Sequence, residues 1–289
     1  MDYKNRLGID LHIHSTASDG SLTPAEIINR AQRLNLAAIA ITDHDSIYGS
    51  KEALQAGIPP SLKFLTGVEI SAAHPPFFPG SGSFHILGYC IRLDNQALNQ
   101  ALNRLRDARK NRNPKIIKRL NELGLKISLE DVNPTIAHGQ LGRPHIAQVM
   151  IKKGFVKSMD EAFDQFLGVG KPAYVDKNRI GCEETIKMIR DAGGVPVLAH
   201  PALLNINDDF QLEELIQNLI KIGMRGIEVY YPEHSPEQMQ RYRELANKYN
   251  LLITGGTDFH GSITPKIEMG TGKGTLFIPY KLYEELAND

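Results

Sequence analysis

Cysteine is nearly absent from this 289-residue chain, which holds only Cys90 and Cys182. Two isolated thiols make neither a disulfide framework nor a thiolate zinc site, so any chemistry must use other side chains. An excess of either charge is also lacking, with 33 Lys+Arg against 33 Asp+Glu. A strongly basic nucleic-acid binder is therefore not indicated for the chain as a whole, although a local patch is left open. No run approaches the roughly 18 consecutive apolar residues of a membrane span. Met1 to Gly8 is short and charged, without the apolar stretch of a secretory leader. A cytoplasmic protein without a membrane partner is expected. The remaining composition, 42% hydrophobic and 23% charged, is that of a folded domain. The length suits a single α/β barrel.

Leu7, Ile9, Leu11 and Ile13 alternate with Gly8, Asp10, His12 and His14, the period of a strand, which puts both histidines on one face. Thr23-Pro24-Ala25-Glu26 reads as a capping box opening a helix whose apolar stripe is Ile27, Ile28, Ala31 and Leu34. Further strands are expected at Ala37 to Thr42, Phe64 to Ile70, Phe84 to Ile91, Val195 to Ala199, Gly226 to Tyr230 and Leu251 to Thr254. Helical patterns at Glu183 to Ala192, Leu212 to Ile222 and Pro236 to Tyr249 separate several of them. Alternating strands and helices predict a parallel α/β fold, and seven strands suffice for a slightly reduced barrel. Residues 94–178 break the rhythm and read as helices alone: Asn95 to Gly124 with a break or new start at Pro114, then Pro144 to Lys153 and Met159 to Leu167. The expected organisation is a barrel formed by 1–93 and 179–289, with 94–178 inserted as a helical domain for substrate recognition.

The strand ends hold the chemistry. The first gives His12 and His14 with Asp19 following; the second Asp43-His44-Asp45; the third Glu69; the fifth His200; the seventh Asp258 and His260. His85 opens the fourth strand rather than ending it. Any one of these histidines, taken alone, is more often structural than a ligand. The inference is joint, because catalytic groups of a barrel collect at the C-terminal ends of several strands. Nine donors exceed the four or so that one zinc uses, so two or three divalent ions are expected, with a bridging carboxylate. Imidazole and carboxylate without thiolate suit Mn first, with Fe, Zn or Mg as alternatives. Clustered ions of this kind suit phosphoester hydrolysis.

Asp10-Leu11-His12-Ile13-His14-Ser15 with Asp19-Gly20, Thr42-Asp43-His44, Gly67-Val68-Glu69, Ala199-His200-Pro201 and Thr257-Asp258-Phe259-His260 resemble the ordered motifs of the PHP (polymerase and histidinol phosphatase) family. The resemblance implies a distorted seven-stranded, TIM-like βα barrel and a trinuclear metal centre. It implies that His12, His14, Glu69 and Asp258 hold one ion, that Glu69 bridges to a second completed by His85 and His200, and that Asp19, His44 and His260 hold the third. His74 competes with His85; His-Ile-Leu-Gly-Tyr favours His85. Asp19, His200 and Arg143 are expected to act in catalysis.

Leu141-Gly142-Arg143-Pro144-His145 stands out in the insertion. A helix N-terminus attracts anions, and Arg143 and His145 beside it would bind phosphate; a plain helix cap is the alternative reading. The segment resembles the Gly-Arg-Pro-His element of PHP proteins acting on nucleotide 3′,5′-bisphosphates or on RNA from its 5′ end. Arg104, Arg106, Arg109, Lys110 and Arg112 form a dense basic stretch. Such runs are mostly solvated helix faces; one bordering the site would attract a second phosphate or an RNA backbone. Glu228 is either a partner of a ligand or a buried structural carboxylate. His234 is a candidate substrate contact, and His138 is expected at the surface. The expected activity is removal of a phosphate from a nucleotide 3′,5′-bisphosphate by a metal-bound hydroxide. Trimming of short RNA from the 5′ end, histidinol phosphate hydrolysis and a non-enzymatic metal-stabilised module are the alternatives.

Overall fold

The computed structural model describes residues 8–78, 82–132, 141–176, 179–206 and 208–289. Leu7, His138 and the last residue of the expected insertion, Asn178, lie outside the described residues. The elements in chain order are β1 (Ile9–Ile13), α1 (Pro24–Arg33), β2 (Ala38–Ile41), α2 (Tyr48–Ala56), β3 (Lys63–Ala73), β4 (His85–Tyr89), α3 (Gln96–Glu122), α4 (Leu129–Val132), α5 (Arg143–Lys152), α6 (Met159–Ala162) running into a π-turn at Phe163–Leu167, β5 (Ile180–Gly181), α7 (Cys182–Asp191), β6 (Val195–Leu198), α8 (Asp209–Lys221), β7 (Gly226–Tyr230), α9 (Pro236–Lys248), β8 (Leu252–Gly255) and α10 (Tyr280–Ala287). No described helix is long and apolar enough to cross a membrane.

Seven strands form the curved wall in the order β1-β2-β3-β4-β6-β7-β8, and the two-residue β5 pairs with the end of β3. An isolated Ile13–Phe259 bridge, with His14 N–H donating to the Phe259 carbonyl at 2.9 Å, draws β1 to the segment after β8. The architecture is the distorted seven-stranded βα barrel with a helical insertion. Its strands are not all parallel, however. β4 runs antiparallel to both β3 and β6, with Ser71 opposite His85 and Ile86 opposite Leu198. The start of β4 therefore lies at the same rim as the ends of its neighbours, which is why His85 opens its strand yet joins residues that close theirs.

Ile9, Leu11, Leu87, Tyr89 and Val197 belong to one buried cluster, whereas Ile13 packs in another with Ile27, Ala31 and Ile39. Between Asp10 and Ile13 the β1–β2 register shifts. Such irregularities re-aim side chains at barrel rims, and here the alternation of β1 changes phase just before His12.

α3 runs unbroken through Pro114, where a break was expected. Proline removes one helical hydrogen bond and crowds the preceding turn, at a cost of about 3 kcal/mol. The two halves of α3 are held by different cores. Leu98, Leu102 and Leu105 pack with Ile186 and Ile189 against the barrel, while Ile116, Ile117 and Leu120 pack with Ile146, Val149 and Met150 of the insertion. Burial on both sides of the proline offsets its cost. The helix is thus shared between barrel and insertion.

Candidate metal centre

Glu69 sits at the middle of the rim. Its Oε2 lies 2.9 Å from His44 Nδ1, 3.2 Å from His14 Nε2 and 3.4 Å from His12 Nε2, and its Oε1 lies 2.7 Å from His85 Nδ1 and 2.9 Å from His200 Nε2. Asp258 Oδ1 approaches His14 Nε2 to 2.9 Å, and Asp19 Oδ1 lies 3.5 Å from His260 Nε2. Three sets of donor atoms, each within 4.8 Å of one another, emerge: His12, His14, Glu69 and Asp258; His14, Asp19, His44 and His260; and His44, Glu69 and His85. His200 joins the last through Glu69 and through His85 Nδ1 at 3.2 Å. The structure brings all nine candidate ligands together. The sets differ in detail from those implied by the resemblance, since His14 and His44 each reach two of them. His74 is elsewhere, its ring against Phe78 and Phe84.

Only some of these contacts are hydrogen bonds. His12 Nε2, His14 Nε2, His44 Nδ1, Asp19 Oδ1, Glu69 Oε2 and Asp258 Oδ1 are all buried without a hydrogen-bond partner. An orphaned buried polar atom costs about 1–3 kcal/mol, so six converging on one space need an occupant. Imidazole nitrogens and carboxylate oxygens without sulfur fit divalent cations. Burial opposes charge on Glu69 and Asp258, yet the surrounding imidazoles hold both well below the usual carboxylate range. Burial would likewise lower His14, but Asp258 and Glu69 raise it to about 10. Burial takes His85 down to about 3 in spite of Glu69. A cation competes with protons for these lone pairs.

The donors are fixed from behind. Glu228 Oε1 lies 2.9 Å from His12 Nδ1, and its Oε2 accepts the His200 backbone N–H at 2.8 Å; the two readings of this residue are realised together. Tyr231 donates to Asp258 Oδ2 at 3.1 Å, leaving Oδ1 to face the histidines. Asp10 accepts from Thr257 N–H, Thr257 Oγ1 and Gly270 N–H at 2.6–2.9 Å, and burial still pushes it up to about 6. Asp43 accepts from Ser15 N–H and both the Ser15 and Ser18 hydroxyls at 2.6–2.7 Å. Asp45, His200 and Asp258 adopt left-handed φ of 51°, 23° and 52°, a conformation that surrounding structure must impose on non-glycine residues. Gly256 permits the closure, since a Cβ there would lie 2.2 Å from His12 Cβ.

Beside the donors opens a cavity of about 210 Å³, lined by Asp19, His44 and His85 and also by Arg109, Arg112, Arg143 and Arg179. The basic stretch of α3 divides: Arg104 and Lys110 are exposed, while Arg109 and Arg112, three apart and hence on one helix face, are buried. Arg109 pairs with Asp45, itself buried. Arg143 donates to the Leu167 carbonyl at 2.8 Å and lies over the rings of Phe163 and Tyr174. Arg179 pairs with Asp176 at 2.9 Å. Arg112 has its Nε buried without a partner, and burial together with Arg109 and Arg143 depresses it to about 10. Arg143 rather than Pro144 begins α5, and His145 caps it by accepting the Gly142 N–H at 3.1 Å. His145 is thus engaged by its own helix, as the plain-cap alternative has it. His234 lies apart from the cavity, its Nδ1 2.8 Å from the Val229 carbonyl and its ring between Tyr231 and Tyr242. Sequence reasoning did not single out Arg179 or the Asp45–Arg109 pair. Asp10 and Asp43 stood inside quoted motifs, flanking the ligand candidates, and that adjacency was their only signal.

Residues 10–267 match the model of the PHP domain. A 3′,5′-nucleoside bisphosphate phosphatase of Chromobacterium violaceum is 34% identical over 257 residues, covering 87% of each chain. The 5′-3′ exoribonuclease Rnm of Escherichia coli is 31% identical over 265 residues, covering 90% of this chain and 87% of the relative. A crystal structure from Bifidobacterium adolescentis, described as a metal-dependent phosphoesterase, superposes with a TM-score of 0.85 at 29% identity, covering 98% of this chain and 96% of the other. With this match over most of its length and a rim of converging imidazoles and carboxylates, the chain belongs to the PHP domain family and is a metal-dependent phosphoester hydrolase.

Proposed function

We propose that the chain removes a phosphate from nucleotide 3′,5′-bisphosphates, in the cytoplasm, using two to three divalent ions, manganese first among them. The observation that carries this reading is one cavity lined both by candidate ligands and by four guanidinium groups. A bisphosphate presents two dianions, one for each kind of lining group. His12, His14, Glu69 and Asp258 would hold one ion, Asp19, His44 and His260 another, and Glu69 with His85 and His200 a third. Bound ions of this kind acidify water and neutralise phosphoryl charge. The chain's own groups do the rest. Arg143, rigid between two rings, and its arginine neighbours hold and orient the phosphate that is not cleaved. Asp19, which borders both a donor set and the cavity, stands where it can take a proton from the attacking water. His200, with its Nε2 2.9 Å from Glu69 Oε1, would share the third ion with Glu69 and so take part in the chemistry there. A phosphate-release screen with Mn²⁺ compares adenosine 3′,5′-bisphosphate, short 5′-phosphorylated RNA and histidinol phosphate. The bisphosphate should be turned over fastest, and a preference for histidinol phosphate defeats the reading.

A second reading, trimming of RNA from its 5′ end, has its own observation. Arg106 and Lys51 flank the half-exposed ring of Tyr48 at 4.9 and 5.5 Å, one helical turn along α3 from Arg109. Basic groups around an aromatic ring suit a single strand beyond the cavity. Faster turnover of the RNA than of the bisphosphate in the same screen would favour it.

A further inference from the structure

We propose that a second cavity, lined in part by Tyr231, is a binding site for a purine nucleoside monophosphate, separate from the metal centre and its arginines. It goes beyond the substrate reading above and needs neither the bisphosphate nor the RNA.

This cavity measures about 360 Å³ and lies between the end of β7, the start of α9 and the stretch ahead of α10. Small-molecule sites begin at about 300 Å³. It shares no lining residue with the cavity beside the donors. Two side chains in its lining lack partners. Arg243 has its Nε buried without a hydrogen bond, and its guanidinium meets no carboxylate among the described residues. It lies over the ring of Tyr230, 5.9 Å from the centroid. Arg241, two positions earlier on α9, pairs with Asp209, so a bare cation is not the rule for this helix. His234 is only 5% exposed, and its Nε2 is buried without a hydrogen bond. Its Nδ1 lies 2.8 Å from the Val229 carbonyl, which can only accept, so Nδ1 carries the proton. Burial holds the ring below its ordinary pKa and so keeps it neutral, which leaves Nε2 as a lone pair. An orphaned buried polar group is costly, and two of them lining one cavity call for an occupant.

The lining defines the chemistry of that occupant. An unpaired guanidinium calls for an anion. Lys273 adds a second positive charge, and its pair with Glu233 at 2.7 Å is half exposed at both ends and therefore weakly held. Two cations suit the dianion of a phosphate monoester better than a single carboxylate. Tyr230 and the half-exposed Phe277 supply aromatic faces for a flat base. The lone pair of His234 accepts an N–H, such as the exocyclic amine of adenine. An anion, a flat ring and an N–H donor within one small molecule describe a purine nucleoside monophosphate. Tyr231 also donates to Asp258 at 3.1 Å, so the occupant rests against a residue that fixes a candidate metal ligand.

Equilibrium dialysis of the metal-loaded enzyme against adenosine 5′-phosphate, up to about 1 mM, counts the sites. Thr275→Trp fills the cavity from an exposed position and should bind one equivalent fewer than wild type. In Arg243→Met the same equivalent should bind at least about tenfold more weakly. Adenosine alone and inorganic phosphate alone should each fall short of the nucleotide there by a similar factor of about ten, since each lacks half of the contacts. Phosphate release by both variants, at low substrate, should stay within about twofold of wild type. An equal count in wild type and Thr275→Trp overturns the proposal, and so does inorganic phosphate that binds as tightly as the nucleotide. A larger loss of turnover in Thr275→Trp would merge the cavity with the catalytic site and overturn it as well. If neither the bisphosphate nor the RNA is hydrolysed, the substrate reading fails, while the dialysis count still decides this site.

Discussion

The rim of the barrel and the wall of the neighbouring cavity carry opposite surpluses. At the rim, carboxylates and imidazole lone pairs crowd together with six orphaned atoms. In the lining of the cavity, guanidinium groups gather with too few carboxylates. They are also built differently. The rim donors sit on or just beyond the strands, and several are backed by a second group: Glu228 behind His12 and His200, Tyr231 behind Asp258, with Asp43 holding the Ser15–Ser18 turn. The cavity arginines come from α3, from α5 and from the segment before β5. Pre-organised donors on a sheet suit chemistry that must not vary, and side chains gathered from helices suit a pocket that chooses among phosphates.

If that contrast is right, damage on the two sides should look different. The largest effect is expected at the rim. His14→Ala or Asp258→Ala should lower kcat by a factor of about a thousand or more, with loss of bound metal by elemental analysis and a retained far-UV spectrum. Retained activity with metal still bound would remove either residue from the centre. Next, Glu228→Gln keeps the shape but withdraws the charge that fixes His12. Metal affinity should fall about 10–100-fold, measured by competition with a chelator, while KM at saturating metal moves little. An affinity unchanged by Glu228→Gln would make it a structural carboxylate only.

Smaller effects are expected on the cavity side. Arg143→Ala strips a guanidinium from between Phe163 and Tyr174 and frees the Leu167 carbonyl. KM for the bisphosphate should rise about tenfold, with some loss of Tm, since its stem and face pack as well as its charge. A loss of kcat at unchanged KM would instead place Arg143 with the chemistry and blur the division between the two regions.

The two regions were not equally legible in the sequence. His12, His14 and Asp258 stand at or just beyond strand ends, which can be found from local periodicity; β3 runs on to Ala73, so Glu69 lies within its strand and not at the end expected for it. The reversal of β4 could not be read, because direction is a property of pairing, and five residues from His85 to Tyr89 look alike either way. The phase change in β1 was hidden for the same reason. Arg109 and Arg112 were present in a run whose commonest meaning is a solvated face; only the packing of α3 distinguishes them from Arg104 and Lys110. Asp45, which neutralises Arg109, lies 64 positions away, and no local pattern links the two.

Pro114 gives the finest test of how the regions are joined. Local chemistry predicts a break there, and the structure runs α3 straight through because both of its halves are buried, one in each core. Pro114→Ala restores an amide hydrogen bond and relieves the preceding turn, so it should stabilise the protein by about 1 kcal/mol. That is less than the full penalty of a mid-helix proline, since the surrounding side chains have settled around it. The gain should be visible in thermal melting, and KM for the bisphosphate should change by less than about threefold. A destabilised variant with a larger KM would mean that α3 needs the local bend of Pro114 to seat Arg112 and Asn113 two residues and one residue before it. The proline would then act as a device for aiming the cavity wall at the rim, and the packing of both halves would be insufficient to do so.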